Sequence, residues 1–115
     1  MSDVTARVQG GGGFRKALAV ALAQYERPKI GIVATTPARA DYIRQICVNS
    51  AKDGEILMYV EDEASDMLSK VKHEVVVLDS SLPTAMRSGL TQIAREQLKG
   101  CTVIQIRKWS VEPPT

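Results

Sequence analysis

The sequence is poor in the residues that bind metals or act as nucleophiles. It holds one histidine, His73, and two cysteines, Cys47 and Cys101, among 115 residues. The cysteines form no CxxC pair and have no histidine beside them, so a zinc site or a Cys/His nucleophilic pair lacks the ligands it needs. We expect two reduced thiols in the core, no metal and no cofactor.

Long apolar runs and a large excess of charge of one sign are also missing. No run approaches the roughly 20 apolar residues of a membrane-spanning helix, and the first residues are polar rather than secretory. The 15 basic and 13 acidic residues give a formal net charge of +2, which is too balanced for a dedicated nucleic-acid binder. These absences predict a cytoplasmic protein that contacts neither membranes nor nucleic acids.

What is present is the composition of one folded domain. Hydrophobic residues make up 44% of the chain and charged residues 24%, and a chain of this length buries one core rather than two. We predict an N-terminal segment at residues 1–13, with a short strand at 4–8 and a hinge at the four glycines 10–13. A single α/β domain follows at residues 14–109, and residues 110–115 form a tail.

Strands and helices alternate along this domain. Dense apolar runs predict buried strands at residues 29–35, 55–60, 73–78 and 101–107. Helical spacing of apolar residues predicts helices at 14–26, at 37–50, after the acidic run 61–63, and at 84–99. This alternation is typical of a three-layer sandwich with a parallel sheet of four to five strands. The expected strand order is about 2-1-3-4, counted from the strand at residue 29.

The helix predicted at 37–50 has an apolar inner face and a charged outer face. Thr36 is its predicted N-cap and Pro37 its first residue. An inner face of alanine, isoleucine and cysteine leaves Arg39 turned outward.

Asp79 is the first candidate for a functional residue. It ends the most apolar strand, and ligands of parallel sheets bind beyond the carboxyl ends of the strands. The simplest interpretation is that Asp79 caps the loop that follows it.

The residues around Asp79 also resemble a known family. The strand that ends in Asp79-Ser80-Ser81-Leu82-Pro83 resembles the phosphoacceptor strand and loop of response-regulator receiver domains. The run from Ile30 to Arg39, including Pro37, resembles the receiver's first strand and the entry to its first helix. The resemblance covers roughly residues 29–107, and it implies a flavodoxin-like fold with Asp79 at the phosphoacceptor position.

The chain departs from the receiver pattern in its charged residues. Receivers hold Mg²⁺ with acidic residues after the first strand, where this chain has Ala34, Thr35 and Thr36. Because phosphoryl transfer needs a cation to offset charge, Asp79 is expected to be a vestigial acceptor. Arg107 stands at the receiver's hydroxyl position, and we expect it either to pair with Asp79 in place of the metal or to lie solvated at the sheet edge.

The N-terminal segment is a second departure. Receivers begin with their first strand, whereas here a possible strand and a helix precede it, and no fifth strand follows residue 107. The early strand and helix could supply the missing edge of the sheet from the front. Alternatively, the glycine run could let the helix dock onto another subunit. A phosphate-binding role of the glycines is a weaker interpretation, since no P-loop or dinucleotide spacing is present.

A partner surface is expected near the last strand. The basic and aromatic residues Arg107, Lys108 and Trp109 suit a protein partner better than a nucleic acid, because one aromatic is no stacking platform. In pseudo-receivers the resemblance implies recognition through this strand and the helix beside it, here Arg87, Leu90, Lys108 and Trp109. We therefore expect a non-catalytic regulatory or assembly module that binds a protein or a second copy of itself.

Two other functions stay open. A flavodoxin-like protein could bind an anion or a small molecule through the hydroxyls of Thr35 and Thr36 together with Asp79. A true phosphoacceptor at Asp79 could use unusual metal ligands.

Overall fold

The computed structural model describes residues 4–9, 12–50 and 53–113 of the chain. Strands and helices alternate without exception within these ranges. The elements are β1 (Val4–Gln9), α1 (Gly12–Leu22), β2 (Lys29–Ala34), α2 (Pro37–Ser50), β3 (Glu55–Val60), α3 (Glu61–Lys70), β4 (Val75–Leu78), α4 (Thr84–Gln97) and β5 (Thr102–Lys108). In this part of the chain, no helix has the length and apolar character needed to span a bilayer.

The strands form one parallel sheet with helices on both faces. The order across the sheet is β1-β5-β4-β2-β3, and each neighbouring pair is parallel. Helices α1 and α2 cover one face, and α3 and α4 pack together on the other. The predicted α/β three-layer sandwich with a parallel, flavodoxin-like sheet is confirmed.

The strand order differs from the predicted one because the first strand of the chain belongs to the sheet. β1 lies at one edge beside β5, in register from Val4 opposite Thr102 to Val8 opposite Ile106. The strands β3, β2, β4 and β5 follow one another from the other edge. The N-terminal segment therefore completes the sheet from the front, and α1 packs beside α2 instead of extending toward another subunit.

The predicted glycine hinge is wrong for the residues that the structure describes. Gly12 and Gly13 are the first two residues of α1, while Gly10 and Gly11 lie outside the described ranges. Phe14 and Leu18 of the same helix are fully buried. Their burial offsets the cost of about 1 kcal/mol that a glycine carries in a helix. α1 also ends at Leu22 instead of residue 26.

The core consists of two apolar clusters, one on each face of the sheet. All four residues of β4 are fully buried, as the dense apolar run predicted. Cys47 belongs to the cluster under α1 and α2, and Cys101 to the cluster under α3 and α4. Both cysteines are buried, which confirms their expected place in the core. Burial raises the pKa of the Cys47 thiol to about 12, so this group stays protonated at neutral pH.

A buried polar pair lies beside the cluster under α3 and α4. The Tyr59 hydroxyl and Nε2 of His73 are 2.8 Å apart, and both side chains are buried. Burial lowers the pKa of His73 and raises that of Tyr59, so both groups are neutral near pH 7. The pair fits because Gly31 of β2 has no side chain: a Cβ there would lie 2.9 Å from Cδ2 of His73 and 3.3 Å from the Tyr59 ring.

We expect Gly31→Ala to lower the free energy of unfolding by about 1–3 kcal/mol, the usual cost of overpacking a filled core. Gly89→Ala is the matched control. Gly89 is an exposed residue of α4 with open space around it, so the added methyl group should stabilise the helix by up to about 1 kcal/mol. Urea unfolding of the two variants checks both signs. Equal stability of Gly31→Ala and wild type would contradict the tight fit of the His73–Tyr59 pair.

Candidate functional site

The carboxyl ends of β2 and β4 hold Asp79 inside the protein. Its backbone N–H donates to the carbonyl of Val33 at 3.0 Å, which continues the pairing of β4 with β2 by one residue. Side chains alternate along a strand, so Asp79 shares the face of Val75 and Val77, under α1 and α2. The Asp79 side chain is fully buried. A buried carboxylate requires hydrogen-bond partners, and the surrounding segments supply them.

Both carboxylate oxygens of Asp79 accept hydrogen bonds from side chains. Oδ2 accepts from Nε of Arg39 at 2.6 Å and from Oγ of Ser81 at 2.5 Å. Oδ1 accepts from Nε1 of Trp109 at 2.8 Å. The donors come from α2, from the loop after β4 and from the residue after β5. One carboxylate therefore ties together three segments that are distant in sequence.

Arg39 extends this set of contacts to the C-terminal segment. Its Nη1 donates to Oε1 of Glu112 at 3.1 Å, while the Arg39 side chain itself is 6% exposed. Thr36 fixes the start of α2 as predicted, because its Oγ1 accepts the Arg39 backbone N–H at 3.2 Å. We call Asp79, Arg39, Ser81, Trp109 and Glu112 the Asp79 network.

Trp109 joins the Asp79 network to the apolar core. Its ring packs edge-on against Phe14 of α1, with centroids 6.0 Å apart, and against Tyr42 of α2 at 5.3 Å. The side chain is 3% exposed. A buried indole needs an acceptor for its N–H group, and Asp79 provides one.

The charges of the Asp79 network stabilise each other. Burial alone would raise the pKa of Asp79, but hydrogen bonds from Arg39, Ser81 and Trp109 and the charge of Arg39 outweigh it, so the pKa lies below its ordinary value. Burial alone would lower the pKa of Arg39, whereas its contacts with Asp79 and Glu112 raise it. Both groups are charged across the neutral range.

This geometry leaves the Asp79 carboxylate little scope for chemistry. Phosphoryl transfer needs an oxygen that an incoming phosphoryl group can reach in line. Both oxygens of Asp79 are bonded inside the protein, and none of the side chain is exposed. The arrangement is that of a buried ion pair with its hydrogen bonds satisfied.

Of the two alternatives expected for Arg107, the ion pair with Asp79 is wrong and the solvated side chain is confirmed. Ile104 and Ile106 face the cluster under α1 and α2, so Arg107, one residue further on, points to the opposite face from Asp79. Its side chain is exposed. The cation beside Asp79 is Arg39, which the sequence pattern had placed on the outer side of its helix.

The predicted partner surface is also corrected. Leu90 and Trp109 are each 3% exposed and belong to the core. Arg87 is half-buried, and its Nη2 donates to Oγ1 of Thr84 at 3.2 Å. Of the four residues, Lys108 alone is exposed. Trp109 and Leu90 are therefore core residues and expose almost no surface.

The hydroxyls expected to bind an anion have partners within the chain. Oγ1 of Thr35 donates to Oγ of Ser81 at 3.0 Å, and Oγ1 of Thr36 accepts the N–H of Arg39. Thr35 and Thr36 are partly exposed beside the Asp79 network. In the described ranges, no group of three or more His, Cys, Asp or Glu side chains is placed to hold a metal ion.

Ser81 and Glu112 belong to the Asp79 network, but the sequence analysis did not predict either contact. Ser81 lies two residues after an aspartate, a spacing at which a backbone N–H commonly bonds the carboxylate, and its N–H does lie 3.4 Å from Oδ2. Glu112 has no sequence signal, because its partner Arg39 is 73 residues away.

Comparison with models of protein families gives no match, and comparison with curated proteins gives none. The function is therefore inferred from the Asp79 network and from the surfaces around the sheet. Removal of the Asp79 charge tests how much the Asp79 network stabilises the fold.

We expect Asp79→Asn to lower the free energy of unfolding at pH 7 by about 3–5 kcal/mol, because it leaves Arg39 as a buried cation without its counter-ion. The native pKa of Asp79 lies below its unfolded value. Its stabilisation is therefore complete above about pH 4 and is lost as the pH falls through the native pKa. Urea unfolding at several pH values should show the difference from wild type shrinking below about pH 4.

Asp41→Asn is the matched control for this measurement. Asp41 also accepts hydrogen bonds from neighbouring side chains, Arg44 and Gln45, but it lies at the surface of α2. An exposed pair contributes little to stability, so this variant should unfold close to wild type. A loss in Asp79→Asn no larger than in Asp41→Asn would contradict the role of the buried ion pair.

Proposed function

We propose that this chain is a non-catalytic, receiver-like module with a regulatory or assembly role, which binds a protein partner or a second copy of itself. The observation that carries the proposal is the burial of Asp79, whose two carboxylate oxygens bond to Arg39, Ser81 and Trp109. In this proposal, the residue at the phosphoacceptor position of a receiver-like strand stabilises the fold instead of accepting a phosphoryl group. Without a free carboxylate, the module is left with its surfaces as the means of action.

The position of Arg39 supports the same proposal. The loop after β2 carries Ala34, Thr35 and Thr36 in place of metal-binding acids. A fixed guanidinium lies 2.6 Å from Asp79, so the carboxylate already has a permanent counter-charge. A permanent cation holds the site in one state, which suits a module that binds constitutively.

A small-molecule function at Thr35 and Thr36 receives no comparable support, because both hydroxyls are engaged within the chain. The proposal includes a cytoplasmic location. A buried cysteine thiol such as that of Cys47 is typical of proteins from reducing compartments.

Treatment with a small phosphodonor and Mg²⁺ tests the proposal. We expect intact-mass spectrometry to show no phosphoryl adduct on the wild-type protein, because Asp79 offers no accessible oxygen. An active receiver domain treated in parallel is the positive control, and Asp79→Asn is the matched variant. A phosphoryl adduct on the wild type that Asp79→Asn abolishes would overturn the non-catalytic assignment.

A further inference from the structure

In the part of the chain that the structure describes, the sheet has two open edges of equal length. β1 at one edge and β3 at the other each contain six residues and run in the same direction. Each pairs on one side only, β1 with β5 and β3 with β2. Backbone groups on the outer side of an edge strand can pair with a strand of another chain.

The two edges carry opposite charge. β1 and β5 together hold three basic residues and no acidic one, and all three are exposed: Arg7, Arg107 and Lys108. We call this side the basic edge. The segment from Glu55 to Lys70, which forms β3 and α3, holds five acidic residues and one basic residue. This side is the acidic edge. The small net charge of the whole chain conceals this separation.

Both edges also carry exposed apolar surface. A groove of about 310 Å³ runs between α1 and β1, with apolar walls that include Ala6, Val8, Ala17 and Val20. Val20, at its rim, is 63% exposed. On the acidic edge Met58 of β3 is 43% exposed. Alternation with Ile56 puts Met58 on the α1 and α2 face of the sheet, the face that also carries Val8.

We propose that β1 of one copy adds in parallel to β3 of a second copy, so that the chain assembles head to tail. This inference rests on the proposed function and names the partner as the chain itself. Parallel addition aligns the carboxyl ends of the two strands. Arg7 and Lys108 of one copy then lie beside the acidic run Glu61–Glu63, which directly follows β3 in the other.

The same placement seats Met58 against the apolar groove. Neighbouring strands in a sheet bring side chains on the same face into contact, so Met58 meets Ala6 and Val8 of the next copy. Helix α2 covers β2 and β3, and α1 covers β1 and β5. In the joined sheet the two helices lie two strand spacings apart, about 10 Å, which is an ordinary packing distance for helices.

A symmetric pairing of two β1 strands fits the edges less well. An antiparallel β1 pair repeats the basic edge on both sides of the contact, and like charges across a strand pair are unfavourable. It also leaves Met58 and the acidic edge without a partner. Head-to-tail addition uses both edges, and a contact of this kind continues from copy to copy unless it closes into a ring.

Two exposed substitutions test the proposal, because each blocks one edge and leaves the other intact. Met58→Lys removes the exposed apolar side chain of β3 and puts a positive charge opposite the basic edge. Arg7→Glu puts a negative charge opposite the acidic edge. Light scattering should show the wild type gaining mass with concentration and each variant alone remaining at the 12.5 kDa of one copy.

The mixture of the two variants gives the decisive result. The intact β1 of Met58→Lys can bind the intact β3 of Arg7→Glu, while the remaining two edges are blocked. We expect a 1:1 dimer of twice 12.5 kDa and nothing larger. The association should weaken with salt, because the screening length falls from about 10 Å at 0.1 M to about 3 Å at 1 M.

Arg27→Glu and Val111→Lys are the matched controls, since both residues are exposed and lie outside β1 and β3. Both should assemble as the wild type does, and thermal melts confirm that all variants fold. A monomeric wild type, an assembly that Met58→Lys leaves intact, or a mixture that stays monomeric would each overturn the head-to-tail contact. None of these results touches the proposed non-catalytic function, which falls only if Asp79 accepts a phosphoryl group.

Discussion

The structure around the carboxyl ends of the strands depends on one buried carboxylate. Asp79 has no exposed surface, yet it stays ionised because Arg39, Ser81 and Trp109 all donate to it. An ion removed from water is costly unless its partners are held in place. The helix α2, the loop after β4 and the end of β5 must therefore keep their positions together. Glu112 adds the C-terminal segment to the same constraint through Arg39.

Under the proposed function, this constraint separates the chain from an active receiver domain. A receiver carboxylate has to be open to a phosphoryl group and a metal ion, whereas here a guanidinium and an indole close over it. The Asp79 carboxylate stabilises the fold but is closed to reaction partners, which agrees with the proposed role as a binding module. In the proposed role, binding takes place at the sheet edges, where charges of opposite sign lie beside β1 and β3.

The alternation of apolar runs was enough to predict the layers, the helices and the place of Asp79. Its counter-ion was missed because helical spacing considers only the inner and outer sides of α2. Side chains in a first helical turn lean back toward the helix start, and this directs Arg39 to the strand ends. Arg107 could have been excluded by alternation with Ile104 and Ile106. The pairing of β1 with β5 is a contact across almost the whole chain, so local patterns gave it only as one of two alternatives for the N-terminal segment.

The most direct test of this account is a pH titration of the Asp79 side-chain carboxyl by carbon NMR, with the Trp109 indole N–H observed in the same samples. The account predicts a midpoint below the ordinary aspartate value of about 3.9. The indole signal should shift at the same midpoint, because its acceptor is the titrating group. A midpoint at or above the ordinary value, with an indole signal that does not respond, would contradict a buried, ionised Asp79 held by Arg39 and Trp109.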